Sequence, residues 1–315
     1  GGNKVRLWFT EYDLRIWELV SRGKEHPRIG VKLPGNIELY RPEELANVLD
    51  GADYVIMAVS SRGVLPVSER IRDLVEGRNI PVIIVSKGIE VIDDRVLTMT
   101  EIVKEYAGTD ITVYVSGPSL AVELARRKPT FVVYSSKHID IARRIKDDFE
   151  TDYYRIEISD DTLGAEIAAA LKNIYAIAYG IVEGMSKRAN EIFNNLKAAI
   201  IAKALKEMAG IVQACGGKRE TVYGLSGIGD LYVTAMGGRN SMFGQLIGSG
   251  MSVQEALKEM ERRGVGVVEG YRNADTLAKY IAGKGVKKEE ARLFYAVYSI
   301  LYENAPREHV IEALK

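Results

Sequence analysis

Residues 163–179, LGAEIAAALKNIYAIAY, constrain the fold of this chain more than any other stretch. Only Glu166, Lys172 and Asn173 carry strongly polar side chains there. The rest is apolar nearly all round at helical period, which predicts a helix buried on most sides. Gly164 and the run of alanines remove side-chain bulk, so other backbones can approach closely. A lysine in such a helix is costly, because burial disfavours the ammonium and lowers its pKa unless acids or anions hold the charge. Two readings of Lys172 stay open on this evidence. One is a core-helix lysine that snorkels to the surface; the other is a positioned acid/base in a cleft.

Upstream of that helix, strands and helices alternate. Val5 to Phe9 reads as a strand, and a helix follows from Asp13 to Arg22 with Asp13 as its N-cap. After the Pro- and Gly-containing loop 26–36 come a strand at Ile37 to Tyr40 and a short helix at Pro42 to Leu49. Tyr54 to Val59 is a continuous apolar run, expected as a parallel strand covered on both faces. The pattern continues with a helix near 64–75, a strand at 82–85, a helix near 97–106, a strand at 112–115, a helix at 120–127, a strand at 130–134, a helix at 139–149 and a strand at 154–158. Such alternation predicts an α/β, Rossmann-like doubly wound sheet. After about residue 160 helical periods dominate, over 161–185, 190–214, 252–263, 270–282 and 287–303. The expected organisation is therefore a dinucleotide-binding domain over 1–159 and an all-helical substrate-binding domain over 160–315, with a glycine-rich loop from Gly224 through Asn240 as the one interruption.

The 315 residues suffice for two cores, and 43 basic against 43 acidic residues give no push toward nucleic acid or anionic membrane. One cysteine, Cys215, excludes an intrachain disulfide and suits a reducing cytoplasm; it reads as a half-buried helix residue. The three histidines, His26, His138 and His309, show no zinc spacing, and no metal site is expected. No apolar run reads as long enough to span a bilayer, so no membrane insertion is expected. Apolar faces in the second domain, as at Ala291 to Leu301, read either as a homodimer contact or as core.

Several motifs could carry chemistry, each with a plainer structural reading. Ser86-Lys87-Gly88 follows a strand end, where ligands of open sheets bind, but is also an ordinary turn. Ser116-Gly117-Pro118-Ser119 precedes a helix that Ser119 would cap, and the free amides there favour an anion. Gly224 to Asp230, GLSGIGD, is a connector or else offers Asp230 to a hydroxyl or a lysine. Gly238-Arg239-Asn240 places a phosphate-gripping guanidinium on what reads as a flexible backbone. Val267-Val268-Glu269-Gly270 ends an apolar run in a carboxylate.

Taken in order, SKG, GPS, ALKN, GLSGIGDL, GGRN and VVEG resemble the NAD(P)-dependent glycerol-3-phosphate dehydrogenases of the bacterial and archaeal type, and His26 to Leu33 is similar to the archaeal branch. The resemblance covers essentially the whole chain. It implies an oxidoreductase that interconverts sn-glycerol 3-phosphate and dihydroxyacetone phosphate with NAD or NADP, and a role in glycerophospholipid and carbohydrate metabolism. Lys172 would be the catalytic acid/base. Substrate contacts would fall on Lys87, Gly117, Ser119, Lys172, Asp230, Gly238, Arg239 and Asn240. Cofactor contacts would fall on Thr10, Lys87, Ala121, Arg239, Val267 and Glu269.

Two departures stand against the family pattern. Gly238 occupies a position where serine is usual. The family also opens with a strand, a Gly-x-Gly-x-x-Gly turn and a helix, whereas this sequence begins Gly-Gly-Asn at what resembles the family's second strand. A processed or truncated start is the expectation, with a gap in the sheet and poor dinucleotide binding as its consequences. Glu11, after the first strand here, favours NAD by binding ribose hydroxyls, and Arg15 would accommodate a 2′-phosphate; the balance leans to NAD. Two alternatives remain: a related two-domain hydroxyacid dehydrogenase, and a truncated non-catalytic binding or dimerisation protein.

Overall fold

The structure is a computed structural model that describes residues 2–315. The chain forms two compact units. One comprises residues up to Val85 with Thr100–Val115 and Ser119–Asp160; the other comprises Ser86–Met99, Ser116–Pro118 and Asp161–Lys315.

The strands run in chain order as β1 (Val5–Trp8), β2 (Ile37–Tyr40), β3 (Val55–Met57), β4 (Val82–Ile84), β5 (Ile89–Ile92), β6 (Arg95–Thr98), β7 (Thr112–Ser116), β8 (Thr130–Ser135) and β9 (Tyr154–Ser159). In the first unit β1 and β2 form a parallel pair of their own, with Val5 opposite Ile37 and Trp8 opposite Tyr40. A five-stranded sheet follows in the order β3-β4-β7-β8-β9. Its strands β3, β4 and β7 are parallel, as are β8 and β9. β4 is buried on both faces, as a run of Val and Ile in a covered parallel strand demands. The core joins Ile83, Val113, Val115, Val132 and Ile156 with Ala142 and Ile145, which share one face of the helix Ile139–Phe149. Each such aliphatic side chain contributes roughly 1.5–3 kcal/mol on full burial.

Three expectations for this unit need correction. The 54–59 run is not covered on both faces, because Ile56 is 49% exposed on β3 and only three residues keep strand geometry. Asp13 precedes the helix Leu14–Ser21, but its carboxylate caps no amide; it accepts from Thr10 Oγ1 at 2.7 Å instead. Ser119 is not a cap either. Leu120 precedes the five-residue helix Ala121–Ala125, and Ser119 lies exposed before it.

The second unit is built on the helix Thr162–Ala189. Asp161 caps it by accepting from Gly164 N at 3.0 Å, and Asn190 ends it in a left-handed conformation at φ 54°. Around it lie the helices Asn194–Ala214, Arg239–Gly248, Glu269–Gly283 and Arg292–Tyr302. Glycines decide the closest of these contacts. Gly180 and Gly184 on the central helix, and Gly244 and Gly248 on Arg239–Gly248, recur at a spacing of four and so line one face of each helix. A Cβ at any of the four would run into backbone atoms of the partner helix.

The central helix passes, on length and hydropathy alone, as long and apolar enough to cross a membrane, contrary to the reading of the bare sequence. Inside this unit 94% of that apolar window is buried by protein, which is how a core helix hides such a surface. The face Ala291 to Leu301 is likewise core: Ala291, Leu293, Phe294, Val297, Ile300 and Leu301 are all buried.

The stretch 224–240 is not a loop. Leu225–Gly229 forms a turn of π-helix, and the helices Asp230–Gly237 and Arg239–Gly248 follow at once. Its glycines serve close packing as well as turning; a Cβ at Gly227 would collide with the backbone of Val222. The helix expected from residue 97 starts at Met99, because β5 and β6 form an antiparallel hairpin ahead of it. Asp93 and Asp94 make its two-residue turn, both at positive φ, 48° and 61°.

Candidate active site

Three segments of the second unit converge on one carboxylate. Asp230 is the first residue of its helix, directly after the π-turn, and is 1% exposed. Lys172 points at it from the central helix and bonds Oδ1. Lys87, between β4 and β5, donates to Oδ2 at 2.6 Å and to the carbonyl of Gly117 at 3.3 Å. Two lysines thus share one aspartate, and the cluster keeps a net positive charge. Taking these charges out of water costs several kcal/mol each, which only close pairing offsets. Nearby, the buried hydroxyls of Ser116 and Ser226 bond at 2.6 Å and tie the Gly117 segment to the π-turn.

Burial pushes the Lys172 ammonium down from 10.5 to about 8; Asp230 pulls it back up, and Lys87 lowers it further. The same burial works to raise Asp230, but the two lysines outweigh it and hold the carboxyl below 3.8. The arrangement therefore presents an ionised aspartate and an amine that gains and loses its proton close to neutral pH. Lys172 does not snorkel, being 5% exposed.

Next to Lys172, a second polar chain leads outward. Asn240 Nδ2 donates to Asn173 Oδ1 at 2.8 Å, and Asn240 Oδ1 accepts from Gly270 N at 2.8 Å. Asn173 Nδ2 donates to Glu269 at 3.4 Å, and Glu269 faces Arg239 at 3.7 Å. Asn173 and Asn240 are both buried, whereas the Arg239 side chain is 49% exposed. Arg239 and Asn240 are ordered by their helix, not carried on a flexible loop. Gly238 is excluded from bearing a side chain without adjustment, since its Cβ would meet the carbonyl of Thr234 at 2.5 Å. Val267 is 55% exposed.

Lys87, Gly117, Lys172, Asp230, Gly238, Arg239, Asn240, Val267 and Glu269 all belong to this unit. Thr10, Ser119 and Ala121 belong to the other. Asn173 was given no role by the sequence reading, although a buried amide beside the lysine needs partners and signals a site. Glu207 was also missed. This buried carboxylate accepts from the amides of Leu293 and Phe294 at 2.9 and 3.1 Å and from Tyr175 at 3.2 Å. Burial raises its carboxyl above 4.5, and its partners mark it as the structural cap of the Arg292–Tyr302 helix.

A Rossmann-like α/β unit, and a helical unit that buries a lysine against a carboxylate, have the architecture of a two-domain dehydrogenase. Comparison with known proteins narrows the class. The family description "NAD-dependent glycerol-3-phosphate dehydrogenase N-terminus" matches residues 1–142, and its C-terminus counterpart matches residues 161–312. An NADP(+)-dependent glycerol-3-phosphate dehydrogenase of Archaeoglobus fulgidus is 43% identical over 98% of this chain and 91% of its own length. A glycerol-3-phosphate dehydrogenase [NAD(P)+] of a Thermoanaerobacter species is 33% identical over 96% of this chain and 86% of its own. The crystal structure of glycerol-3-phosphate dehydrogenase from Coxiella burnetii superposes with a TM-score of 0.84 at 29% identity, covering 100% of this chain and 92% of that one. The chain belongs to the NAD-dependent glycerol-3-phosphate dehydrogenase family, and it is an oxidoreductase that works with NAD or NADP. The hydroxyacid and non-catalytic alternatives find no support in these matches.

Proposed function

We propose that Lys172 is the acid/base of the interconversion of sn-glycerol 3-phosphate and dihydroxyacetone phosphate, and that the units divide the labour as dinucleotide-binding and substrate-binding domains. The carrying observation is the buried carboxylate of Asp230 shared by Lys172 and Lys87. In the oxidative direction the neutral amine of Lys172 takes the proton of the C2 hydroxyl. In the reductive direction its ammonium returns a proton to the C2 oxygen. Asp230 orients the amine and keeps the cluster from carrying two uncompensated charges. Lys87, with its side chain 21% exposed, stays reachable for an anionic substrate, as does Arg239. Gly117, Gly238 and Asn240 complete the helical unit's share of the substrate contacts in this reading.

When bound, NAD or NADP accepts or supplies the hydride. In this reading the helical unit offers the cofactor the half-exposed Arg239 guanidinium, which faces Glu269, together with the exposed Val267, and the dinucleotide-binding unit by itself offers Thr10, Glu11 and Ala121. The single cysteine supports a cytoplasmic site of action. For a homodimer the candidate surface is the shallow pocket lined by the exposed Ile192 and the partly buried Phe193 and Ile311, and sedimentation velocity of the purified chain decides between monomer and dimer.

Lys172→Met tests the central assignment, because it keeps length and apolar bulk while removing the amine. Turnover should fall on the order of 10²–10⁴-fold, the usual contribution of a positioned acid/base, with the thermal midpoint retained. In the wild type, oxidation should gain and reduction should lose rate as pH rises through about 8. Near-normal turnover in the variant defeats the assignment.

A further inference from the structure

Where β1 ends, the chain passes through Phe9 and Thr10 into a turn opened by Glu11. The Glu11 carboxylate is taken by both arms of one guanidinium. Arg70 Nη1 lies 3.2 Å from Oε2, and Nη2 bonds Oε1. Arg70 belongs to the helix Ser61–Val75 in the same unit, and its Cζ lies 5.9 Å from the centre of the Trp8 ring. That ring is itself anchored, the indole donating to the carbonyl of Pro42 at 3.2 Å. The guanidinium is thus held by a carboxylate and an aromatic face, while both charged side chains remain nearly half exposed, 44% and 48%.

In doubly wound sheets the adenosine end of a dinucleotide lies outside the carboxyl end of such a strand. An acid there takes the ribose hydroxyls of NAD, and an arginine nearby takes the 2′-phosphate of NADP. This chain has both, bonded to each other. The same rigid fork matches a carboxylate and a phosphate. Glu11 presents one negative charge, and a phosphate monoester presents about one and a half to two at neutral pH. An exposed ion pair contributes little to stability, so Arg70 is released from Glu11 at small cost. Arg15, which follows Glu11 by four positions in the sequence, is exposed and makes no ion pair or ring contact among the described residues.

We propose that Arg70 receives the adenosine 2′-phosphate of NADP and that Glu11 is its internal competitor, so that this pair sets the preference between the two dinucleotides. The proposal rests on the reading of β1 as the strand beside the cofactor. It assigns the two groups opposite effects. With NADP the phosphate displaces Glu11 from the fork. With NAD the carboxylate must leave the fork to reach the ribose diol, so Arg70 works against NAD as well as for NADP.

The test is equilibrium binding, read by fluorescence titration of the purified chain with NADPH and with NADH, and by competition with 2′,5′-ADP, which lacks the nicotinamide. Arg70→Ala should weaken NADPH and 2′,5′-ADP by about tenfold or more, the loss expected for charge-assisted bidentate contact, and change NADH by less than about twofold or tighten it. Glu11→Gln, which keeps the shape and removes the competing charge, should tighten NADPH and weaken NADH. Thermal melts of both variants, expected within a few degrees of the wild type for an exposed pair, exclude a folding defect. If Arg70→Ala weakens both dinucleotides alike, or if Glu11→Gln leaves their ratio unmoved, the proposal falls. A wild-type chain that binds neither dinucleotide refutes the cofactor-site reading itself.

Discussion

Asp230→Asn separates the electrostatic account of the site from a purely packing one. In the wild type the drop of Lys172 from 10.5 to about 8 corresponds to a net penalty on the ammonium of about 3 kcal/mol, burial and Lys87 set against Asp230. Asp230 is what keeps that figure from being larger, since it pulls the amine back up while Lys87 pushes it down. The amide is nearly isosteric, so packing is kept, but two cations then face each other with no counter-charge. Breaking a buried pair in this way costs about 3–5 kcal/mol as long as the remaining charge persists. The sign with pH follows. A lysine whose folded pKa is depressed binds fewer protons folded than unfolded between that pKa and 10.5, so stability rises with pH through that window. In the variant the folded pKa drops below about 8 and the window opens earlier. The deficit against wild type should therefore be largest near pH 6 and shrink toward pH 9. Asp230 adds no slope there, because its depressed pKa confers stability that is lost only as pH falls through the acid range.

Calorimetric melts of the helical unit at pH 6, 7, 8 and 9 read this out. At pH 6 the midpoint should fall by roughly 6–20 °C, at about 2–4 °C per kcal/mol for a unit of this size. Adding Lys172→Met removes the buried cation, and should recover most of the loss and flatten its pH dependence. A deficit that is constant or grows from pH 6 to pH 9, or a double variant as unstable as Asp230→Asn alone, refutes the reasoning.

Two further outcomes concern the scaffold around the site. Gly248→Ala places a methyl against the backbone of Ile181 and Met185, which cannot yield without separating two helices. It should cost about 3 kcal/mol, the upper end for overpacking, seen as a lower denaturant midpoint with unchanged slope. Glu207→Leu leaves the amides of Leu293 and Phe294 and the Tyr175 hydroxyl without their acceptor, and should cost about 3 kcal/mol or more near neutral pH. Because burial raises the Glu207 carboxyl, the wild type loses stability as pH rises from 4.5 through the folded value, and this slope should vanish in the variant; a slope that survives would place the titrating group elsewhere.

Much of the architecture was legible because its signals are local. The alternation of apolar runs with amphipathic segments predicted the strands β4, β8 and β9 and the helix Ile139–Phe149 within a residue or two. The misreadings share a cause. Gly224 to Asn240 looks like a loop because glycine lowers helix propensity, yet Leu225–Gly229 closes a π-turn in which Gly227 packs directly on the backbone of Val222. The β5–β6 hairpin was hidden because its turn is Asp93-Asp94 and not a glycine pair, and β3 looked fully covered because hydrophobicity does not reveal which strand lies at an edge.

The sequence by itself determined that Lys172 lies in a helix too apolar to leave it in water, since helical period and composition act within a few turns of chain. The motif order also pointed to the family. Only the tertiary structure decided what the lysine meets. Lys87, Lys172 and Asp230 lie 85 and 58 residues apart along the chain, and their meeting depends on a π-turn, a hairpin and close glycine packing that no local pattern encodes. The pairing of Glu11 with Arg70 was decided there too. Charge interaction depends on distance in space, and sequence separation says little about that distance until the chain has packed.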